Sequence, residues 1–141
     1  MTTIVYRDGI LAADTRMIAG TSIIGNICKI VRREDGALCG GAGHASIVQA
    51  FQRWFLEGEE GDPPVEEETK ALVISPRGKV EMFECDGTIE WRAPYVAIGS
   101  GKEFALGAMF MGADAVQAVK AAMKFDPYSG GKVMKLTHDK A

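Results

Sequence analysis

Four glycine-ended pairs, Asp8-Gly9, Asp35-Gly36, Arg77-Gly78 and Asp86-Gly87, constrain this chain more than any other feature. Each lies between two short apolar-rich segments, and Asp-Gly in that setting is a strong two-residue hairpin signal. So short a link joins only antiparallel neighbours, because parallel strands need a crossover of a dozen residues or more. The pairs therefore predict strands over residues 3–7 and 10–14, over 27–33 and 37–41, and a meander over 71–75, 79–85 and 88–91. Residues 95–98 are mostly apolar and predict one more strand, buried on both faces.

Helical periodicity appears twice. Ile47, Val48, Phe51, Trp54 and Phe55 recur at helical spacing over residues 45–56 and form one apolar face. Residues 57–68 then turn acidic and carry Pro63-Pro64, which predicts a solvated linker. The second helical region, residues 102–125, holds Phe104, Leu106, Met109, Val116, Val119 and Met123. Gly112 divides it into two helices, Asp114 stands near the start of the second, and Pro127 ends it. A last strand is predicted over 132–137. Segregated helices and mainly antiparallel strands point to an α+β domain in which two sheets pack face to face with helices outside. At 141 residues the chain suits one domain spanning 1–141.

Bulk chemistry excludes several functions. A net charge of −3 offers no basic stripe for nucleic acid. No apolar run approaches a membrane span, and the N-terminus lacks the basic and apolar regions of a secretory signal. Cys28, Cys39 and Cys85, odd in number and irregular in spacing, suit reduced thiols of a cytoplasmic protein. No CxxC pair exists and His44 and His138 are far apart, so no metal site is expected, and no cofactor. Gly99-Ser100-Gly101-Lys102 is not a phosphate loop, since Val96 and Glu103 stand where that pattern needs glycine and Ser or Thr. His44 has no G-x-S-x-G partner and reads as a helix-start residue. The methionines around Met109 read as core or subunit interface.

A threonine at position 2 is small enough to permit removal of Met1. Exposed at a terminus, Thr2 would combine a hydroxyl nucleophile with its own α-amine as base. That amine titrates near ~8 rather than ~10, so part of it is neutral near neutral pH.

Several motifs in order carry a family resemblance. Thr2-Thr3-Ile4-Val5 with Ala13-Asp14 resembles the opening of proteasome β-type subunits and of the bacterial two-ring ATP-dependent peptidase. Cys28-Lys29-Ile30 resembles the strand bearing that family's active-site lysine, and residues 40–45, Gly-Gly-Ala-Gly-His-Ala, its glycine turn before the first helix. Ile98-Gly99-Ser100-Gly101 is similar to its G-S-G turn, and residues 126–131, Asp-Pro-Tyr-Ser-Gly-Gly, to its D-x-Y-[ST]-G-G run.

The resemblance implies a four-layer αββα sandwich of the N-terminal-nucleophile hydrolases and a threonine-type endopeptidase subunit. Under it Thr2 is the nucleophile, Lys29 lowers the hydroxyl and amine pKa values by its charge, and Asp14 holds Lys29 charged and oriented. Gly43 offers its N–H as an oxyanion donor, while Ser100, Asp126 and Ser129 bond the terminal amine and position it. Met17, Ile27, Val31, Gly41 and Ala45 line the first specificity pocket, which favours cleavage after hydrophobic residues. The resemblance further implies a polypeptide substrate, a homo-oligomeric ring and an ATP-dependent unfoldase as partner, with no nucleic acid or membrane. Because no propeptide precedes Thr2, methionine aminopeptidase is the expected processing enzyme.

Relatives carry a second long helix after the first. Residues 57–68 stand in its place, so one outer layer should hold a single helix, and part of the face used for docking is missing. Two other readings of the same residues are a catalytically silent structural ring subunit and an amidohydrolase acting on a small molecule. Matches at Thr2, Lys29 and residues 126–131 weigh against silence.

Overall fold

In the computed structural model, which describes residues 2–139, every glycine-ended pair sits at a reversal between antiparallel neighbours. The first joins β1 (Ile4–Arg7) to β2 (Ile10–Ala13), with Ile4 opposite Ala13. Asp8 and Gly9 have φ of 51° and 78°. Two successive positive φ values are what a type I′ turn demands, and its twist matches that of the flanking strands.

The chain then makes β3 (Arg16–Ala19) and β4 (Ser22–Asn26), followed by β5 (Ile30–Arg32), β6 (Leu38–Ala42) and α1 (Ala45–Leu56). After a non-helical connection come β7 (Lys70–Ile74), β8 (Val80–Glu84), β9 (Gly87–Trp91) and β10 (Tyr95–Ile98). Helices α2 (Lys102–Phe110) and α3 (Ala115–Phe125) precede β11 (Met134–Thr137). One sheet has the order β10-β1-β2-β11 and a second the order β5-β6-β7-β8-β9, while β3 and β4 form a separate ribbon. All pairings are antiparallel.

Strand alternation explains the layering. Ile4, Leu11, Ala13, Val96 and Ile98 of the first sheet meet Ile30, Leu38, Leu72, Ile74 and Met82 of the second in one buried cluster. Their neighbours one residue away point outward, as period-two side chains must. Val5, Ala12 and Ala97 pack under Ala105 and Met109 of α2 and Ala115, Ala118, Val119 and Ala122 of α3. Cys39, Ala71, Val73 and Phe83 pack under Phe51 and Phe55 of α1. The result is a four-layer αββα sandwich, with two helices outside one sheet and α1 alone outside the other. Asp114 caps α3 through a reciprocal box with Gln117, which fixes the break after α2.

Three details differ from the sequence reading. The β3–β4 ribbon was not anticipated; β4 is exposed throughout and lacks the alternation that marks a half-buried strand. Residues 27–29 lie outside the β5 ladder, because the Ile27 N–H bonds to the Thr15 carbonyl and steers the chain from the ribbon into the sheet. The connection 57–69 is more than a solvated linker. Val65 packs on the α1 cluster, Trp54 Nε1 donates to the Gly61 carbonyl, and Glu59 accepts from Arg33 at 2.6 Å. No helix among the described residues is long and apolar enough to cross a membrane.

Phe51 is fully buried between Trp54 and Phe83, with ring centroids 5.1 and 5.2 Å away. Phe51→Ala should cost about 3–5 kcal/mol in urea unfolding by the cavity it leaves. Phe110→Ala, at a residue 78% exposed, should stay within about 0.5 kcal/mol.

Candidate active site

Thr2 stands just before β1 and is buried at the end of the first sheet. Its main chain is held by the G-S-G turn after β10, where the Gly101 N–H donates to the Thr2 carbonyl at 3.3 Å. Gly99, with φ of 102°, lies so close that an added methyl would collide with that carbonyl. The turn therefore needs glycine for space as well as for backbone conformation.

Asp14 follows β2 and is fully buried. Its Oδ1 accepts from Lys29 Nζ and from the Thr3 N–H, each at 2.9 Å. Its Oδ2 accepts from the Gly130 N–H at 2.9 Å and the Arg16 N–H at 3.3 Å. A carboxylate withdrawn from water needs this number of donors to offset its desolvation. Lys29 is 4% exposed, and burial pushes its ammonium below the ordinary lysine value, opposed by the charges of Asp14 and Asp126. The pair thus sets, in the wall of the cavity that Thr2 also lines, a lysine that deprotonates more easily than a surface one.

A second network reaches the Thr2 nitrogen. The Thr2 N–H, an amide while Met1 is attached, donates to Ser100 Oγ at 3.0 Å, and Ser100 donates to Asp126 Oδ2 at 2.7 Å. Ser129 donates to the same oxygen at 2.6 Å and shares a 2.7 Å bond with Thr3 Oγ1. Each hydroxyl has one proton, so with Ser129's given to Asp126, Thr3 is the donor to Ser129. Among the described residues Ser100 is the side chain that bonds the Thr2 nitrogen, and Asp126 and Ser129 lie behind it, with the Tyr128 N–H on the other carboxylate oxygen.

A cavity of about 200 Å³ opens beside Thr2. It is lined by Lys29, Met17, Ile27, Gly41, Gly43 and Ala45, all of them anticipated residues. Val31 is not in the lining. It lies two residues beyond Lys29 and packs on the α1 core, and Val48 instead closes the pocket, 3.2 Å from where a Gly41 side chain would begin. Arg16, Ile18, His44, Val48 and Glu68 complete the wall without having been anticipated. For Val48 and His44 the helical phase of α1 was an available signal. For Arg16, Ile18 and Glu68 no local pattern was, since they reach the wall by tertiary folding of the ribbon and the 57–69 connection.

Gly43 has φ of 138° and packs against Thr69, whose Oγ1 is 2.8 Å from where a Gly43 methyl would stand. Among the described residues, that buried hydroxyl is the side-chain polar atom without a hydrogen-bond partner. The tight turn therefore adjoins an unspent donor. His44 is the extended N-cap of α1 and makes no side-chain cap, so the first N–H groups of the helix have no side-chain acceptor there. No group of three metal-binding side chains occurs among the described residues.

No protein-family model matches the sequence, and no curated protein does. Solved structures do. Thiobacillus denitrificans BPH in complex with epoxomicin is similar with a TM-score of 0.66 and 24% identity, over 96% of this chain and 96% of that one. Thiobacillus denitrificans BPH is similar with a TM-score of 0.67 and 22% identity over 99% of both chains. At these identities the likeness is one of fold, end to end.

Asp14→Asn should destabilise the protein by about 3–5 kcal/mol at pH 7, because it leaves the buried Lys29 charge without its counter-ion. The Lys29 pKa would then fall further below the unfolded value. Between the two values the unfolded chain binds the extra proton, so stability rises with pH there. Urea unfolding from pH 7 to 9.5 should therefore show the deficit shrinking as pH rises.

Proposed function

We propose that, after removal of Met1, this protein is a threonine peptidase subunit with Thr2 as its N-terminal nucleophile. The observation that carries the reading is the meeting of two buried networks at the Thr2-Thr3 pair. Asp14 binds the Thr3 N–H and Lys29, which lines the same cavity as Thr2, while Ser100, bonded to Asp126, accepts from the Thr2 nitrogen. Epoxomicin on a protein of the same fold supports it, because a peptide epoxyketone reacts with a free N-terminal threonine through both hydroxyl and amine.

The steps follow from those positions. The free α-amine takes the Thr2 Oγ proton, eased by the Lys29 charge, and Oγ bonds to the scissile carbonyl carbon. Negative charge gathers on the carbonyl oxygen, where the Gly43 N–H at the start of α1 is the donor. The C–N bond breaks as the α-ammonium passes its proton to the leaving nitrogen. Water then attacks the ester, giving its proton to the same amine, and Oγ leaves as the hydroxyl. The apolar wall formed by Met17, Ile18, Ile27, Ala45 and Val48 favours an apolar residue on the acyl side.

The same reading makes the chain a subunit of a homo-oligomeric ring acting on polypeptides in the cytoplasm. Phe104, Phe110, Met111 and Phe125, exposed on α2, its end and α3, are apolar enough to serve as contacts between copies. An unfoldase would have α1 alone, with its 57–69 strap, on the opposite face.

The test is the intact mass of the purified protein before and after treatment with a peptide epoxyketone. Loss of Met1 and one covalent adduct, absent from Thr2→Ala, is the expected result. Retained Met1 with no adduct would favour a silent structural subunit. Loss of Met1 with an adduct but no peptide hydrolysis would favour an amidohydrolase acting on small molecules.

A further inference from the structure

Gly43 and Glu68 belong to two cavities. The first is the apolar one beside Thr2. The second, also about 200 Å³, is bounded by Gly43, Glu67, Glu68, Lys70, Ser100 and Lys102. The two differ in character: the first sets Met17, Ile18, Ile27 and Val48 beside Arg16, Lys29 and Glu68, whereas the second has Glu67, Glu68, Lys70 and Lys102 and no large apolar side chain.

Proton transfer decides what the second cavity faces. In acylation the leaving nitrogen receives its proton from the Thr2 α-amine, so the leaving segment departs on the side where that amine is held. Ser100 Oγ holds it, and Ser100 lines the second cavity but not the first. The acyl side then belongs to the apolar cavity, and the leaving side to the charged one.

We infer that the second cavity binds the segment C-terminal to the scissile bond, and that Lys102 there receives a carboxylate, from an acidic side chain or a free C-terminus. The inference rests on the peptidase reading and deepens it. Lys70 is engaged with Glu84 at 3.1 Å, whereas Lys102 makes no ion pair among the described residues. Lys102 also stands in the first turn of α2, where the helix dipole favours acidic side chains. Its charge is therefore not explained by helix stability. Glu68, which borders both cavities, is placed to meet the ammonium that forms when the leaving nitrogen is released and protonated. A volume of this size suits one or two residues.

The test uses the Met1-free protein and peptides with one constant acyl part ending in leucine. Four leaving parts are compared by kcat/KM: alaninamide, aspartyl amide, lysyl amide and free alanine. Aspartyl amide or free alanine, or both, should exceed lysyl amide by about threefold or more, within the weight of an exposed ion pair. An advantage confined to aspartyl amide assigns a side-chain carboxylate, and one confined to free alanine assigns the terminus. Lys102→Glu should reverse the order, and Lys102→Met should level it. Equal rates for all four, or a preference that survives both variants, would overturn the inference. Labelling by a peptide epoxyketone, which covers the acyl side only, is the reference: no labelling at all sinks the peptidase reading and this inference with it.

Discussion

The rest of the structure depends on one buried ion pair. Asp14 leaves the end of β2 in the first sheet, and Lys29 comes just before β5 in the second, so their 2.9 Å contact joins the two sheets at one end of the sandwich. Neither group is stable there alone, since an uncompensated buried charge costs several kcal/mol. Asp14 is compensated by four donors from four parts of the chain: Thr3, Arg16, Lys29 and Gly130. The N-terminus, the start of the ribbon, the lysine segment and the turn before β11 are thereby fixed to one carboxylate. Hydrophobic layering makes the sandwich, but this carboxylate sets where Thr2 lies within it.

The sandwich was largely legible in the sequence because its signals are local. Asp8-Gly9 dictates a turn whatever surrounds it, and Ile4, Leu11, Leu72 and Ile74 alternate with Val5, Ala12, Ala71 and Val73 over an inner and an outer face. The helix break at Gly112 with Asp114 as cap is equally local. What was not legible depends on distant partners. The β3–β4 ribbon has Ile23 63% and Ile24 54% exposed, so no buried face imposes a pattern on it. Val31 was assigned to the cavity by resemblance, yet the pleat turns it toward the α1 core. For Asp126 and Ser129, the order in the chain of hydroxyls follows from proton counting that only distances permit.

The single-helix layer has a consequence at the site. With no second helix beyond α1, the connection 57–69 folds back along the helix, held by Arg33 and Val65, and delivers Glu68 and Thr69 against Gly43. The turn that would supply the oxyanion donor is braced by this short strap, whose last residues also divide the apolar cavity from the charged one. The outer connection thus brings Glu68 and Thr69 next to the cavity that Thr2 lines.

On the proposed reading two networks aim Thr2, freed of Met1, at a carbonyl held by Gly43. Its most direct test is a crystal structure of the Met1-free protein after reaction with a peptide epoxyketone. The expected result is electron density continuous from both Thr2 Oγ and the Thr2 nitrogen into the inhibitor. An inhibitor oxygen should also lie within hydrogen-bonding distance of the Gly43 N–H, with the Asp14–Lys29 contact intact. Attachment at the exposed Cys28 thiol instead, or Thr2 unmodified in a crystal soaked to saturation, would contradict it.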